Sequence, residues 1–386
     1  MKYQSKWKVP RSRNHVTNRK IRDEIIKYVE PVIFEDNWEA LRMVSEFEKA
    51  FSEKFNFNYV SGVQTCSAAL FLSLLALGVK SGDEVITVSN SDMATTAAIS
   101  HCGATLVLCD VCESDYVIDI SKVEDLITEK TRAIVPVDLY GHIADVKTLR
   151  EIADKHNVFI VEDAALAILG KDYGEIVGKY ADIVCFSTMP TKLVGSSGNG
   201  GIVATQNVKF YKQVELFKAY GAYPSPEGTY PQINAFVEEG YNLKMVPLDA
   251  AVVMAKLPYL DEWRKRRKEI VDLYFSELLD FDGIILPQFR DESEPVLREM
   301  PVRILKKRSR VVSFLLGKGV QVSVNYCPAA HLRPVYENLG LIGSESLPIT
   351  EILSDQIITL PVDPELSNEE IVYVCESLKE GIISEK

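Results

Sequence analysis

The stretch Val158-Phe159-Ile160-Val161-Glu162-Asp163, followed at residues 186–192 by Phe186-Ser187-Thr188-Met189-Pro190-Thr191-Lys192, decides the fold. The first segment is apolar on consecutive positions and ends in a carboxylate. Consecutive rather than alternating apolar residues mark a strand covered on both faces. Working outward, similar runs occur at Tyr59–Val63, Glu84–Val88, Thr105–Cys109, Ala133–Val137, Ile183–Phe186 and Ile202–Ala204. Amphipathic segments alternate with them. Ser67–Val79 sets Leu70, Leu74 and Leu77 on one stripe, Ile120–Lys130 repeats Val123, Leu126 and Ile127, and Asp145 stands at a cap before Val146, Leu149 and Ile152. This rhythm predicts an α/β fold built on a mostly parallel sheet.

Beyond about residue 250 the pattern changes. A long helix is expected over Leu248–Leu279. After it, strands at Arg303–Leu305 and Val320–Val322 mix with helices at Arg310–Lys318 and Asn368–Gly381, as in a smaller α+β domain. The expected division is an N-terminal arm (1–45), a large α/β domain (46–255) and a small C-terminal α+β domain (256–386). The loop Gly221–Gly228, with Tyr223-Pro224-Ser225-Pro226, reads either as a loop near a functional site or as a plain connector.

Three features carry chemistry. Thr65-Cys66-Ser67 joins a strand to a helix, where free N–H groups and hydroxyls form an anion pocket reinforced by the helix dipole. Ser and Thr cap helices in any protein, so alone this is a weak signal. Asp163 stands at the carboxyl end of a strand, where open α/β sheets bind ligands. A carboxylate there either keeps a pyridine nitrogen protonated or caps the segment that follows. Lys192 follows a buried strand and precedes the loop Gly195–Gly201. A desolvated amine in such a place serves as a carbonyl nucleophile; the alternative is a surface lysine beside a turn.

Composition narrows the class. A net charge of −12 argues against general nucleic-acid or anionic-membrane binding. The basic stretches 2–22 and 303–310 lack the aromatic interleaving of a nucleic-acid module and read as a solvated arm and an exposed helix face. Neither a secretory leader nor an apolar span of membrane length is apparent. Seven cysteines, several inside apolar runs, fit free thiols in a reducing cytosol. Cys109 and Cys112 lack two further ligands for zinc and read as the end of a strand, so no metal site is expected.

An ordered set of short stretches spans residues 45–330. It comprises Glu46 with Lys49-Ala50-Phe51, Ala68-Ala69-Leu70, Leu77-Gly78 with Gly82-Asp83-Glu84-Val85-Ile86, Ala94-Thr95, and Gly103-Ala104-Thr105. It continues through Val137 with Leu139-Tyr140-Gly141, Glu162-Asp163-Ala164-Ala165, Phe186-Ser187 with Lys192, Gly200-Gly201, Gly240-Tyr241-Asn242, and Pro328 with His331. In this set the chain resembles the DegT/StrS-like sugar aminotransferases of the fold-type I enzymes that depend on pyridoxal 5'-phosphate (PLP).

The resemblance implies that Lys192 is the Schiff-base lysine and that Asp163 partners the pyridinium nitrogen. It places Ser187 and the Thr65, Cys66 and Ser67 loop on the cofactor phosphate. It places Asn242 on the phosphate of a neighbouring subunit, and hence implies a homodimer with shared sites. The implied reaction moves an amino group from glutamate to a keto-sugar, usually linked to a nucleotide. Tyr326 and His331 are candidate substrate-side residues, with packing and surface roles as their alternatives.

Four positions depart from the family pattern. Asp92 stands where an aromatic residue usually stacks on the cofactor ring, and Leu166 where Gln, Glu or His usually bonds the ring hydroxyl. Asp138 replaces a histidine, and Asn199 an acidic residue. The two changes at the ring leave open another reaction on the same fold, such as an elimination, or a non-catalytic relative.

Overall fold

The computed structural model describes residues 6–222, 236–336 and 347–384. Along the chain, helices α1 (Asn14–Lys20), α2 (Arg22–Phe34) and α3 (Asn37–Phe55) lead into β1 (Tyr59–Val63), α4 (Cys66–Ala76), β2 (Glu84–Val88), α5 (Met93–His101) and β3 (Thr105–Cys109). Next come α6 (Ile120–Val123), β4 (Thr131–Val135), α7 (Val146–His156), β5 (Phe159–Asp163), the short strands β6 (Lys171–Asp172) and β7 (Glu175–Ile176), then β8 (Ile183–Ser187), β9 (Gly201–Thr205) and α8 (Val208–Lys218). The remainder holds α9 (Pro247–Lys256), α10 (Leu260–Leu278), β10 (Ile284–Ile285), β11 (Ser293–Glu294), β12 (Glu299–Ile304), α11 (Arg308–Gly317), α12 (Pro348–Gln356), β13 (Ile357–Pro361) and α13 (Asn368–Ile383).

The main sheet has seven strands in the order β1-β9-β8-β5-β4-β2-β3. Pairs among β3, β2, β4, β5 and β8 are parallel, while β9 runs antiparallel to both β8 and β1. Strands β2 and β8 are buried at every position, as helices on both faces require. The expected α/β class therefore holds. Non-consecutive neighbours β4 and β2 put a change of strand order beside β5, and the carboxyl end of β5 is Asp163.

Several elements differ from the sequence expectation. Strand β4 ends at Val135 rather than Val137 because Pro136 has no N–H to continue the ladder. The expected helix 120–130 is one turn capped by Asp119, then a 3₁₀ turn at Glu124–Leu126, and Ile127 is already extended. The long helix 248–279 is two helices separated at Leu257–Tyr259, where Pro258 removes a backbone donor. Val320–Val322 is not a strand; Val320 makes a single parallel bridge to Val9. Strand β12 runs over Glu299–Ile304 and is the centre of a three-stranded sheet, β10-β12-β13.

The basic stretches are solvated only in part: Lys20, Arg22, Lys306, Lys307 and Arg310 are exposed, while other members are drawn into the fold. Val9 is fully buried, Arg11 pairs with Glu299, and Arg13 pairs with Glu370, so the N-terminal segment is fastened to the C-terminal third. Arg303 is buried and meets Glu113 at 2.8 Å. Within the described residues all seven cysteines are free, and Cys109 closes β3 as expected. No described helix is long and apolar enough to cross a membrane. The loop 221–228 falls almost wholly outside the described residues.

Candidate active site

A cavity of about 520 Å³ opens at the carboxyl ends of the parallel strands. Nine of the nominated residues line it: Thr65, Cys66, Ser67, Asp92, Asp163, Leu166, Ser187, Lys192 and Tyr326. Two do not. Asn242 is exposed and bridges Ala219 of the backbone. His331 is held away from the cavity by Ser89, whose Oγ lies 2.6 Å from Nδ1 and accepts the His331 N–H at 3.0 Å.

The anion pocket arises from local helix chemistry. Thr65 caps α4, its Oγ1 accepting the Ala68 N–H at 3.0 Å, while its carbonyl accepts Ala69 N–H at 2.9 Å. A helix start leaves its first N–H groups unpaired, here those of Cys66 and Ser67, and the helix dipole favours negative charge beside them. The turn can lie this deep because residue 201 is glycine: a Cβ there would stand 2.3 Å from the Thr65 carbonyl. Ser187, at the end of β8, adds a hydroxyl.

Asp163 is buried, and burial pushes its carboxyl above the usual range. The Thr95 hydroxyl donates to Oδ2 at 2.7 Å and the Ala165 N–H to Oδ1 at 3.2 Å. Thr95 is itself oriented by Ser91 Oγ at 2.7 Å. Among the described residues Asp163 has no ion-pair partner, which leaves it suited to a cationic ring nitrogen supplied by a ligand.

Lys192 sits in a tightly held loop. Its N–H donates to Met189 O at 2.8 Å, and the carbonyls before and after it are taken by Asn14 (Pro190 O), Arg298 Nε (Thr191 O, 2.8 Å) and Lys256 (Gly195 O). Burial, then the Arg298 charge, lowers the Lys192 pKa, favouring the neutral amine that acts as nucleophile.

A buried lysine amine, an unpaired buried carboxylate and an anion pocket within one cavity fit PLP: Lys192 would hold the aldehyde carbon, Asp163 the ring nitrogen, and Thr65, Cys66, Ser67 and Ser187 the phosphate.

The departures from the family pattern acquire partners. Asp92 caps α5 by accepting the Ala94 N–H at 3.0 Å, and it also hydrogen-bonds the Tyr326 phenol. Burial and the Asp92 charge push that phenol well up. Asp138 and Glu162 form a buried carboxyl pair behind Asp163. Burial and Glu162 raise Asp138 far above the normal range, and burial raises Glu162 to about 8.

Above the usual carboxylate range the buried Asp138–Glu162 pair keeps protons that the unfolded chain has lost, so stability falls as pH rises through the titration of the pair. Urea midpoints should accordingly drop from pH 5 to pH 8. Replacing both carboxyls, Asp138→Asn with Glu162→Gln, should remove most of the drop, and an unchanged slope would refute the assignment to this pair.

Sequence reasoning passed over Arg11, Tyr140, Arg298, Glu299 and Asn325, which also line the cavity. Tyr140 carried a signal, since it stands inside Leu139-Tyr140-Gly141. Gly141 has φ +95°, and a Cβ would approach Val296 O to 2.4 Å, so this motif lets the 296–299 backbone close on the site. Arg298 and Glu299 carried none.

Fold and site together define a PLP-dependent enzyme of the aminotransferase class. The chain belongs to the DegT/DnrJ/EryC1/StrS aminotransferase family, whose model matches residues 19–379. It is 37% identical over 313 residues to the erythromycin biosynthesis sensory transduction protein EryC1 of Saccharopolyspora erythraea, covering 81% of this chain and 83% of that protein. It is 34% identical over 335 residues to the dTDP-3-amino-3,4,6-trideoxy-alpha-D-glucose transaminase of Streptomyces venezuelae, covering 86% of each. The crystal structure of S. venezuelae DesV in complex with a ketimine intermediate superposes with TM-score 0.89 at 31% identity, over 97% of this chain and 98% of that one. Among the described residues no cluster of His, Cys, Asp and Glu could hold a metal ion.

Proposed function

We propose that this chain transfers the amino group of glutamate to a keto-sugar linked to a nucleotide diphosphate, supplying an amino sugar for surface-polysaccharide or related biosynthesis. The observation that carries the reading is the meeting of Lys192, Asp163 and the α4 N-terminus in one cavity. The names of relatives that act on dTDP-linked and GDP-linked sugars support the substrate class.

Bound PLP would act as an electron sink for the bond broken at the amino-bearing carbon. The chain's residues do the rest. Lys192 Nζ is the nucleophile, and once displaced it takes a proton from one carbon and returns it at another. Asp163 holds a negative charge where the ring nitrogen needs its proton. Tyr326 and Asp92 fix one wall of the cavity in place of an aromatic stack. Leu166 offers no hydrogen bond and serves as apolar packing.

We read the chain as an arm (1–45), a cofactor domain (46–255) and a small domain (256–386), with the cavity between the last two. A cytoplasmic homodimer in which Asn242 reaches the partner's cofactor phosphate completes the reading, and the exposure of Asn242 suits it. Adding glutamate to the loaded enzyme should bleach the visible cofactor band, and a keto-sugar nucleotide should restore it. A band that no amino acid bleaches would sink the proposal.

A further inference from the structure

Among the described residues no member of α9 lines the cavity, yet one face of this helix grips the loop that follows Lys192. Asp249 and Lys256, two helical turns apart, share that face. Asp249 Oδ1 accepts the Ser197 hydroxyl at 2.7 Å and the Gly198 N–H at 2.6 Å. The Lys256 ammonium donates to the Gly195 carbonyl. Both side chains are buried, Lys256 at 2% exposure. Leu193 and Val194, next to Lys192, pack in the same core as Ala250, Val253 and Leu257 of this helix and its end. The loop folds tightly enough to be held in this way because residue 195 is glycine: a Cβ there would stand 2.3 Å from Pro190 O.

Keeping an ammonium at position 256 costs stability. Burial alone lowers its pKa to about 8, and among the described residues no carboxylate pairs with it. A buried cation without a countercharge is unfavourable, and an apolar side chain of the same length would pack there without that cost. Stability therefore does not account for the ammonium; its hydrogen bond to Gly195 does. Lys256 is also the last residue of α9, directly before the break at Leu257–Tyr259 that leads into α10. Leu260 and Trp263 of α10 belong to the core that holds Val194, whereas Ile270, Tyr274 and Leu278 belong to the core built on β12 and β13. The chain through α9 and α10 thus joins the two cores, and Lys256 stands at the joint.

We propose that Lys256 and Asp249 are positioning residues for Lys192: they tie residues 195–198 to the helix that joins the two cores, so that the seat of one core against the other fixes where the Lys192 amine lies. Other carbonyls of the loop are held from elsewhere, Pro190 O by Asn14 of the arm and Thr191 O by Arg298. The inference rests on Lys192 as the lysine that carries the cofactor.

Lys256→Met keeps the length and burial of the side chain and removes the donor. Turnover should fall about tenfold, the scale of effect expected from a small misplacement of a reacting group. KM for both substrates should stay unchanged, because α9 does not reach the cavity. The melting temperature should stay level or rise, since a buried charge has gone. Lys256→Gln, which keeps an N–H donor on a shorter chain, should recover part of the turnover.

A second measurement needs neither turnover nor cofactor. The Lys192 amine faces Arg298 from the residue before β12, Cys66 from α4, Asp163 from β5 and Asp92 from the cap of α5. Labelling of the cofactor-free full chain by trinitrobenzenesulfonate over a range of pH, with mass mapping, reports the amine in that setting. In Lys256→Met the midpoint for Lys192 should rise by about one pH unit, because the loosened loop escapes the burial and the Arg298 charge that depress it. An unchanged midpoint, or an unchanged turnover, would overturn the proposal. So would a lower melting temperature with a parallel loss of turnover in both variants, which would make Lys256 a residue of the fold alone. A wild type that attaches PLP elsewhere would count against the proposed site instead, while the labelling profile would still decide whether Lys256 positions Lys192.

Discussion

Replacing Lys192 with alanine should reduce amino transfer by about 10⁴-fold, the range expected when a nucleophile that also moves the proton is removed. The fold should survive. Among the described residues Lys192 spends no side-chain ion pair on structure, and its loop is held by backbone carbonyls bonded to Asn14, Arg298 and Lys256. Removing a desolvated amine relieves a cost, so the melting temperature without cofactor should stay level or rise. The phosphate pocket at Thr65, Cys66 and Ser67 is untouched, so cofactor should still bind, more weakly and without a covalent bond. Lys192→Arg should be equally inactive, because a guanidinium keeps its charge and offers no nucleophilic pair. Steady-state assays with a melting curve decide the matter. A Lys192→Ala protein with even a tenth of wild-type activity would show that another amine performs the chemistry.

Asp163→Asn should cost about 10³-fold in turnover, comparable to losing a preorganised electrostatic contact in a water-poor site. The amide oxygen can keep the Ala165 N–H while its NH2 donates to a turned Thr95 hydroxyl, so the local geometry has reason to persist. What it lacks is negative charge. Covalent capture at Lys192 should continue while the later proton transfer slows. The informative reading is the split: retained cofactor with lost turnover. Loss of both together would make Asp163 a structural residue rather than the counter-charge of the ring.

Much of this was legible in the sequence, for identifiable reasons. Strands β2 and β3 match the expected segments because buried parallel strands write themselves as short runs of mainly apolar residues; β1 was found the same way, although it pairs antiparallel with β9. Asp145 was recognisable as a cap, and its side chain accepts the Thr148 N–H at 3.0 Å. Lys192, Asp163 and the Thr65 turn were legible because each sits just after such a run, where strand order alone brings them together.

Other parts depended on long-range pairing that leaves no local trace. Arg11 looked like one more charge in a solvated arm, yet it meets Glu299 from across the chain. Strand β12 hid because Glu299, Pro301 and Arg303 break any apolar run, although the tertiary setting buries all three. The break at Pro258 was visible but lay within a strongly helical stretch. His331 occupies the position that the resemblance marks, and Ser89 turns it aside.

The central claim is that Lys192 is the residue to which PLP attaches. Borohydride reduction of the loaded protein, followed by digestion and mass mapping, tests it directly. The account predicts one irreversibly modified peptide, bearing the cofactor on Lys192. Label on Lys256, on another lysine, or on none would contradict it.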